Sequence, residues 1–295
     1  MQSLWILASS FLFSVMSVFI KLSSDDFGSC EMIFYRSIVA VCLLFAFTRL
    51  RGYSLKTNHL FGHIKRSFAG TLGMFFGFWS LTVLSVGTSM TLCYTNPLWM
   101  ALFVAIFAIK LRQPVHWNLI GTIGLGFLGI CIILQPSFSG DDQLLGALSA
   151  LASAFFAAVA YWQIKELGQL REPSWRIVFY FALFGTIFGT IFGLIGCFTF
   201  EGGLSPITVE NIGYLAGICI TALLAQCCLT LAFGNGNVLL TSCLQFSAII
   251  FAEFFSVIFF GDVVTVLSAI GMAIIMFAGV ACTVITKNFE KRAKS

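Results

Sequence analysis

Residues 8–21 read ASSFLFSVMSVFIK and residues 152–165 read ASAFFAAVAYWQIK. At an offset of 144 the identities are Ala8/Ala152, Ser9/Ser153, Phe11/Phe155, Val15/Val159, Ile20/Ile164 and Lys21/Lys165. The likeness continues outward. Phe34-Tyr35 answers Phe179-Tyr180 at an offset of 145, and the glycine pair Gly121/Gly129 answers Gly271/Gly279 at 150. Two long runs without Asp, Glu, Lys or Arg, Ser67 to Ile109 and Asn211 to Ala252, hold equivalent places. Any one match competes with chance among apolar stretches drawn from few letters. Four matches in the same order indicate an internal repeat, with the drift in offset set by loop lengths.

Composition says what is repeated. The 295 residues are 59% hydrophobic and 9% charged, whereas a soluble domain carries about 25% charged residues to cover its surface. A surface bathed in lipid needs no such cover. Spans of about 20 apolar residues are required to cross a bilayer, and the apolar runs are continuous rather than alternating, so helices are expected and not barrel strands. Charges and turn residues cut the chain into ten segments: 4–22, 31–49, 67–86, 88–109, 117–135, 143–163, 176–199, 211–233, 238–261 and 263–286. The two uncharged runs read as tight helical hairpins, broken at Ser85-Val86-Gly87-Thr88-Ser89 and at Gly234-Asn235-Gly236-Asn237. The first segment lacks a basic leader and has a mate later in the chain, so it is expected to be a span rather than a cleaved signal.

The expected fold is therefore all-α and integral to the membrane, with ten transmembrane helices. The first repeat covers residues 1–140 and the second 141–295. Each holds five spans, an odd number, so the second copy is expected upside down relative to the first. Inverted repeats suit secondary transporters, in which one half rocks against the other.

The formal charge of +4 reads as topology rather than as affinity for nucleic acid. With the N-terminus inside, one set of loops and the tail carry fourteen of the sixteen basic residues, Arg66 among them. The positive-inside rule then puts both termini in the cytoplasm, in a plasma membrane such as a bacterial inner membrane. Trp5, Trp117, Trp162 and Trp175 fall at inner ends, where interfacial tryptophans belong. No phosphate-binding loop, nucleophile elbow or zinc spacing is present, and no cofactor is expected. An enzyme embedded in the membrane would need converging ionisable groups that the spans lack. A structural or regulatory membrane protein is the remaining alternative to transport.

At this point the chain resembles the EamA-type drug/metabolite transporters. The resemblance rests on the repeat length, on Tyr94-x-Asn96-Pro97, on Gly261-Asp262 closing segment nine, and on the Gly-x7-Gly spacing of segments five and ten. It covers nearly the whole chain and implies two inverted five-helix repeats, with spans one, three, four, six, eight and nine around a cavity. It also implies transport of a small polar solute, such as an amino acid, an amine or a nucleotide-like metabolite. Segments five and ten would form a peripheral layer, sometimes used in a homodimer. Two departures stand out. Lys110 occupies the place where the family commonly carries an acidic residue, and the second copy lacks a counterpart of Pro97.

Candidate substrate-binding residues are Trp79, Tyr94, Asn96, Trp99, Gln226 and Gln245. Pro97 frees a helix carbonyl beside Asn96, although a packing kink would leave the same trace. Gln226 and Gln245 can orient a solute or hydrogen-bond across a helix pair. Trp79, Tyr94 and Trp99 can stack on a ligand or serve as filler among 34 phenylalanines. Arg36 and Glu253 are candidates for coupling or for a charge pair, because charge inside a span is costly; Arg36 can alternatively snorkel to the headgroups. His59 and His63 have metal-ligand spacing but no nearby acidic or cysteine partner in sequence, so no metal is expected. Eight of the ten cysteines fall in apolar segments, where a free thiol behaves as a small hydrophobe; Cys30 and Cys197 lie nearer one surface.

Overall fold

A computed structural model describes residues 2–23, 26–27, 29–84, 86–112, 117–135, 143–194, 205–209, 211–261 and 265–292. Cys197, Asp262 and the side chain of Cys30 lie outside the described residues. The elements are α1 (Trp5–Leu22), α2 (Ser29–Arg51), α3 (Leu60–Val83), α4 (Val86–Cys93), α5 (Asn96–Lys110), α6 (Trp117–Leu134), α7 (Gln143–Gln169), α8 (Ser174–Leu194), α9 (Ile212–Asn235), α10 (Val238–Gln245), α11 (Ser247–Phe260) and α12 (Val266–Arg292). Among the described residues, nine stretches are long and apolar enough to cross a membrane. The remaining long helix, α3, has 24 residues. His63, Lys65, Arg66 and several glycines make it more polar, yet it packs closely along α7. The protein is a multi-pass helical membrane protein.

Three helices overrun their apolar segments by six residues or more. α3 begins at Leu60 rather than 67, α7 runs to Gln169 rather than 163, and α12 runs to Arg292 rather than 286. A charged residue marks where lipid ends, but a helix satisfies its own backbone on either side of that boundary. Arg66, counted in a loop from sequence, therefore stands two turns inside α3.

The fourth and ninth spans are each broken after a short helix of eight residues, α4 and α10. In the fourth, Pro97 has no N–H to give the Cys93 carbonyl, and the Thr95 carbonyl accepts from both Leu98 and Trp99 instead. In the ninth, without a proline, the break falls at Phe246. Its ring is fully buried against Gly126 of α6, where a Cβ would come within 2.5 Å of it.

The two serines shared by the opening stretches do equivalent work. Ser153 of α7 donates to the Gly73 carbonyl of α3 at 2.7 Å, and Ser9 of α1 donates to the Ala225 carbonyl of α9 at 2.8 Å. Span six thus packs on span three as span one packs on span eight, with small residues letting the backbones approach. α6 and α12 form a further close pair. Gly129 and Gly271 meet there, and a Cβ on Gly129 would lie 2.8 Å from the Gly271 carbonyl oxygen. Cys42, Cys93, Cys131, Cys219, Cys227, Cys228, Cys243 and Cys282 are free thiols.

The loops of the two halves are clasped together on the basic face. Glu172 accepts from the Thr57 hydroxyl at 2.6 Å and from Arg176 Nη1 at 2.8 Å. Arg176 Nη2 reaches the Ser54 carbonyl at 2.7 Å, and the Tyr180 hydroxyl reaches that of Leu55 at 3.0 Å. Tyr53 stacks on Trp175 at 5.6 Å. Buried His63 lies 3.5 Å from the Glu172 carboxylate, an acidic neighbour that its sequence surroundings do not reveal. On the opposite face, Glu31 accepts from the backbone N–H and the hydroxyl of Ser205, both at 2.8 Å.

Candidate functional site

Between the helices lie two adjoining cavities of about 280 Å³ and 190 Å³. They share Phe13, Cys93, Tyr161 and Leu229 as walls. The larger cavity owes its room to one face of α3. Arg66, Gly70, Gly73 and Gly77 recur there at one-face helical spacing, and all four line it. Gly70 leaves space for its neighbour: a Cβ there would lie 2.5 Å from Arg66 Nη1 and 2.9 Å from the Phe181 ring.

Two guanidinium groups enter this cavity. Arg36 of α2 lines it, and its Nη2 donates to the Met74 sulfur at 3.3 Å. Thioether sulfur is a weak acceptor. Arg66 is 2% exposed, and its Nε and Nη1 have no hydrogen-bond partner among the described residues. Its Cζ lies 3.7 Å from the Phe181 ring centroid, a cation–π contact. Among the described residues, no carboxylate lines either cavity.

The smaller cavity is polar without charge. Ser9, Ser10, Tyr94, Asn96, Tyr161 and Gln245 line it. Gln245 Nε2 approaches the Tyr161 hydroxyl at 3.4 Å. Asn96 Oδ1, Gln245 Oε1 and, in the larger cavity, Gln226 Nε2 are buried without a partner among the described residues. A buried polar atom left so is costly, and a bound solute or water would satisfy it.

Of the residues singled out from sequence, Tyr94, Asn96, Gln226, Gln245 and Arg36 thus meet around the cavities. Arg36 turns inward rather than toward the headgroups. Trp79 is 41% exposed and lines a separate groove between α3 and α7. Trp99 packs edge-on against Phe155 at 5.4 Å and is not among the lining residues. Glu253, partly exposed on α11, is not among them either. It makes no hydrogen bond or ion pair with any described residue, Arg36 included.

Sequence reading missed Arg66, Tyr161 and Phe181. The one-face stripe from Arg66 to Gly77 was the available signal for the first. Spans two and seven, which supply Arg36 and Phe181, border the cavity in addition to the six expected there.

The EamA-like transporter family model matches residues 1–135 and 144–285. The pseudopaline exporter CntI of Pseudomonas aeruginosa is 27% identical over 92% of both chains. An uncharacterized transporter of Helicobacter pylori is 24% identical over 97% of this chain and 96% of its own. One crystal structure, at 18% identity, superposes with a TM-score of 0.81 over 96% of this chain and 98% of its own, which speaks for the fold alone. The chain belongs to the EamA-like transporter family.

Proposed function

We propose that this protein is a secondary transporter that carries a small polar metabolite through the central cavity by alternating access. The observation that carries this reading is the cavity itself, walled by both halves and lined with unpartnered polar atoms. A solute-sized polar chamber inside a lipid-bathed bundle has little use except to hold a solute in passage. The family membership and the transporter names of its relatives support the same class.

Alternating access draws support from reciprocal packing: spans three on six and eight on one, each joined by the matched serine. Two inverted repeats would pack in this way. The gap between the halves is closed at one end. There the last turns of α7 and α9 meet through Gly168 and Gly234, and Tyr161 stacks on Phe233 at 4.6 Å. The clasp of the basic loops lies at the same end. Among the described residues, α1 and α3, the counterparts of α7 and α9, have no comparable contact. The conformation therefore reads as closed toward the cytoplasm and open toward the outside, with both termini cytoplasmic. In this reading Tyr94, Asn96, Gln226 and Gln245 orient the solute, while Trp79 and Trp99 are packing aromatics.

Purified protein in liposomes provides the test. Counterflow of amino acids, nucleotides and amines is expected to reveal trans-stimulated flux of one class, weakened at least tenfold by Asn96→Ala or Gln245→Ala. Absence of flux for every solute class, or product formation in place of flux, would overturn the reading.

A further inference from the structure

We infer that the cavity selects an organic anion, and that Arg36 and Arg66 together bind its carboxylate. This deepens the transport reading and rests on it.

The argument begins with cost. A guanidinium inside a span is expensive unless paired or hydrated, and this cavity holds two of them. Arg36 donates to a thioether, and Arg66 leaves Nε and Nη1 without a partner among the described residues. Neither forms an ion pair with a described carboxylate. The sequence explains why: the uncharged run from Ser67 to Ile109 and that from Asn211 to Ala252 hold no acidic residue. Several described carboxylates are committed elsewhere: Glu31 to Ser205, Glu166 to the Trp162 indole, and Glu172 to Thr57 and Arg176. Two cations left unpaired are a poor way to stabilise a bundle. They are a good way to hold an anion, because guanidinium matches carboxylate in planar, two-pronged geometry.

The surroundings refine the class. Phe181 backs Arg66 and holds it by its ring face. Phe13, Met74, Met90 and Leu229 supply apolar wall beside the cationic end. Past Tyr161, the second cavity offers neutral amides and hydroxyls. A solute with a carboxylate at one end, an apolar body and a neutral hydrogen-bonding end matches these three zones in order. An amine does not, since it would meet two positive charges.

The test compares charged and uncharged partners of one shape. Thermal unfolding of the purified full chain in detergent is followed at equal ionic strength. The probes are benzoate against benzamide, glutarate against glutaramide, and inorganic phosphate and putrescine. At least one carboxylate is expected to raise Tm while its amide does not. That rise is expected to be lost in Arg36→Gln and in Arg66→Gln, and retained in part in Arg66→Lys. Without ligand, Arg66→Gln is expected to melt at or above the wild-type temperature, because an unpaired buried charge has been removed; a purely structural arginine would give the opposite sign. If a glutamine variant fails to fold, the comparison of probes on the wild type decides alone. A rise with putrescine or with the amides, a rise with phosphate alone, no rise with either carboxylate, or an undiminished rise in the double variant would each overturn the inference. Liposome flux separates this from the parent reading. Flux of amines without carboxylates leaves transport standing and removes the anion site; carboxylate-specific melting shifts with no flux do the reverse.

Discussion

Gly168 meets Gly234 backbone to backbone: a Cβ built on Gly168 would lie 2.6 Å from the Gly234 Cα and 2.7 Å from its carbonyl carbon. The reverse is not so. A Cβ on Gly234 would find the Ile164 carbonyl oxygen at 3.7 Å and the Gly168 Cα at 3.8 Å, ordinary contact distances. One glycine of the pair is therefore sterically required and the other is not. Gly168→Ala must push the ends of α7 and α9 apart, at an overpacking cost of about 1–3 kcal/mol. Its Tm is expected to fall and its counterflow to drop roughly tenfold, the rate equivalent of about 1.4 kcal/mol. Gly234→Ala is expected to stay near wild type in both assays. Equal behaviour of the two variants would show that the closure does not turn on this contact.

Much of this arrangement was legible in the sequence, and the part that was not has two causes. Apolar runs located the spans, and the matched Ser9 and Ser153 proved to be the residues that bolt each half to the other. Depth in the membrane follows from counting. Rotation about a helix axis does not, since each residue turns the face by about 100°. Gln245 and Glu253 share the ninth span, yet a break at Phe246 separates them and only Gln245 reaches the cavity. Arg66 was obscured by a different habit, that of treating charge as the end of a helix. Its one-face spacing with Gly70, Gly73 and Gly77 shows instead that the helix runs through it.

The clasp on the basic face carries a pH dependence. Burial pushes the Glu172 carboxyl up, but the Thr57 hydroxyl, the Arg176 guanidinium and His63 outweigh it and hold the group below its ordinary value. A carboxyl with a folded-state pKa below its unfolded one contributes its full stability above the unfolded value, about 4.3 for Glu. That contribution is lost as pH falls through the lower, folded-state value. Glu172→Gln is expected to lose about 1.5–3 kcal/mol at neutral pH, the worth of hydrogen bonds to a charged group. It should also lack part of the wild type's loss of Tm below about pH 4. A Tm equal to wild type at pH 7 would show that the clasp does not contribute to stability.

Orientation is open to a direct measurement. Ser54, Leu55 and Thr57 join Glu172, Arg176 and Tyr180 on one face, and Ser3 joins Asn237 through a 2.9 Å hydrogen bond on the same side as Gly234. Lys and Arg crowd this face, and the positive-inside rule predicts that it is cytoplasmic. A reporter fused after Ser295 is expected to be active only when it requires the cytoplasm. One fused within the 205–209 loop should report from the opposite side. Activity of the C-terminal fusion on the outer face would reverse the assignment and, with it, the direction in which the cavity opens.

Glu253 poses the last question, because its carboxylate lies within a span yet apart from both arginines. On α11, Phe251 and Phe255 pack against Phe11 of α1 at 5.6 Å and 5.4 Å. Residue 253 falls about 200° around the helix from 251, so it faces away from α1. No described residue pairs with it, and a carboxylate within a span is costly unless water or a counter-charge reaches it. A group of that kind suits proton exchange better than solute binding. Glu253→Gln, which mimics the protonated form, is therefore expected to keep solute-for-solute exchange and carboxylate-induced melting shifts while losing uptake driven by a pH gradient. A second change, Arg36→Gln, should restore nothing, since no ion pair joins the two side chains. Full pH-driven uptake by Glu253→Gln would remove the coupling role. Loss of exchange and of pH-driven uptake together would place the residue in the solute's path, where neither cavity reaches it.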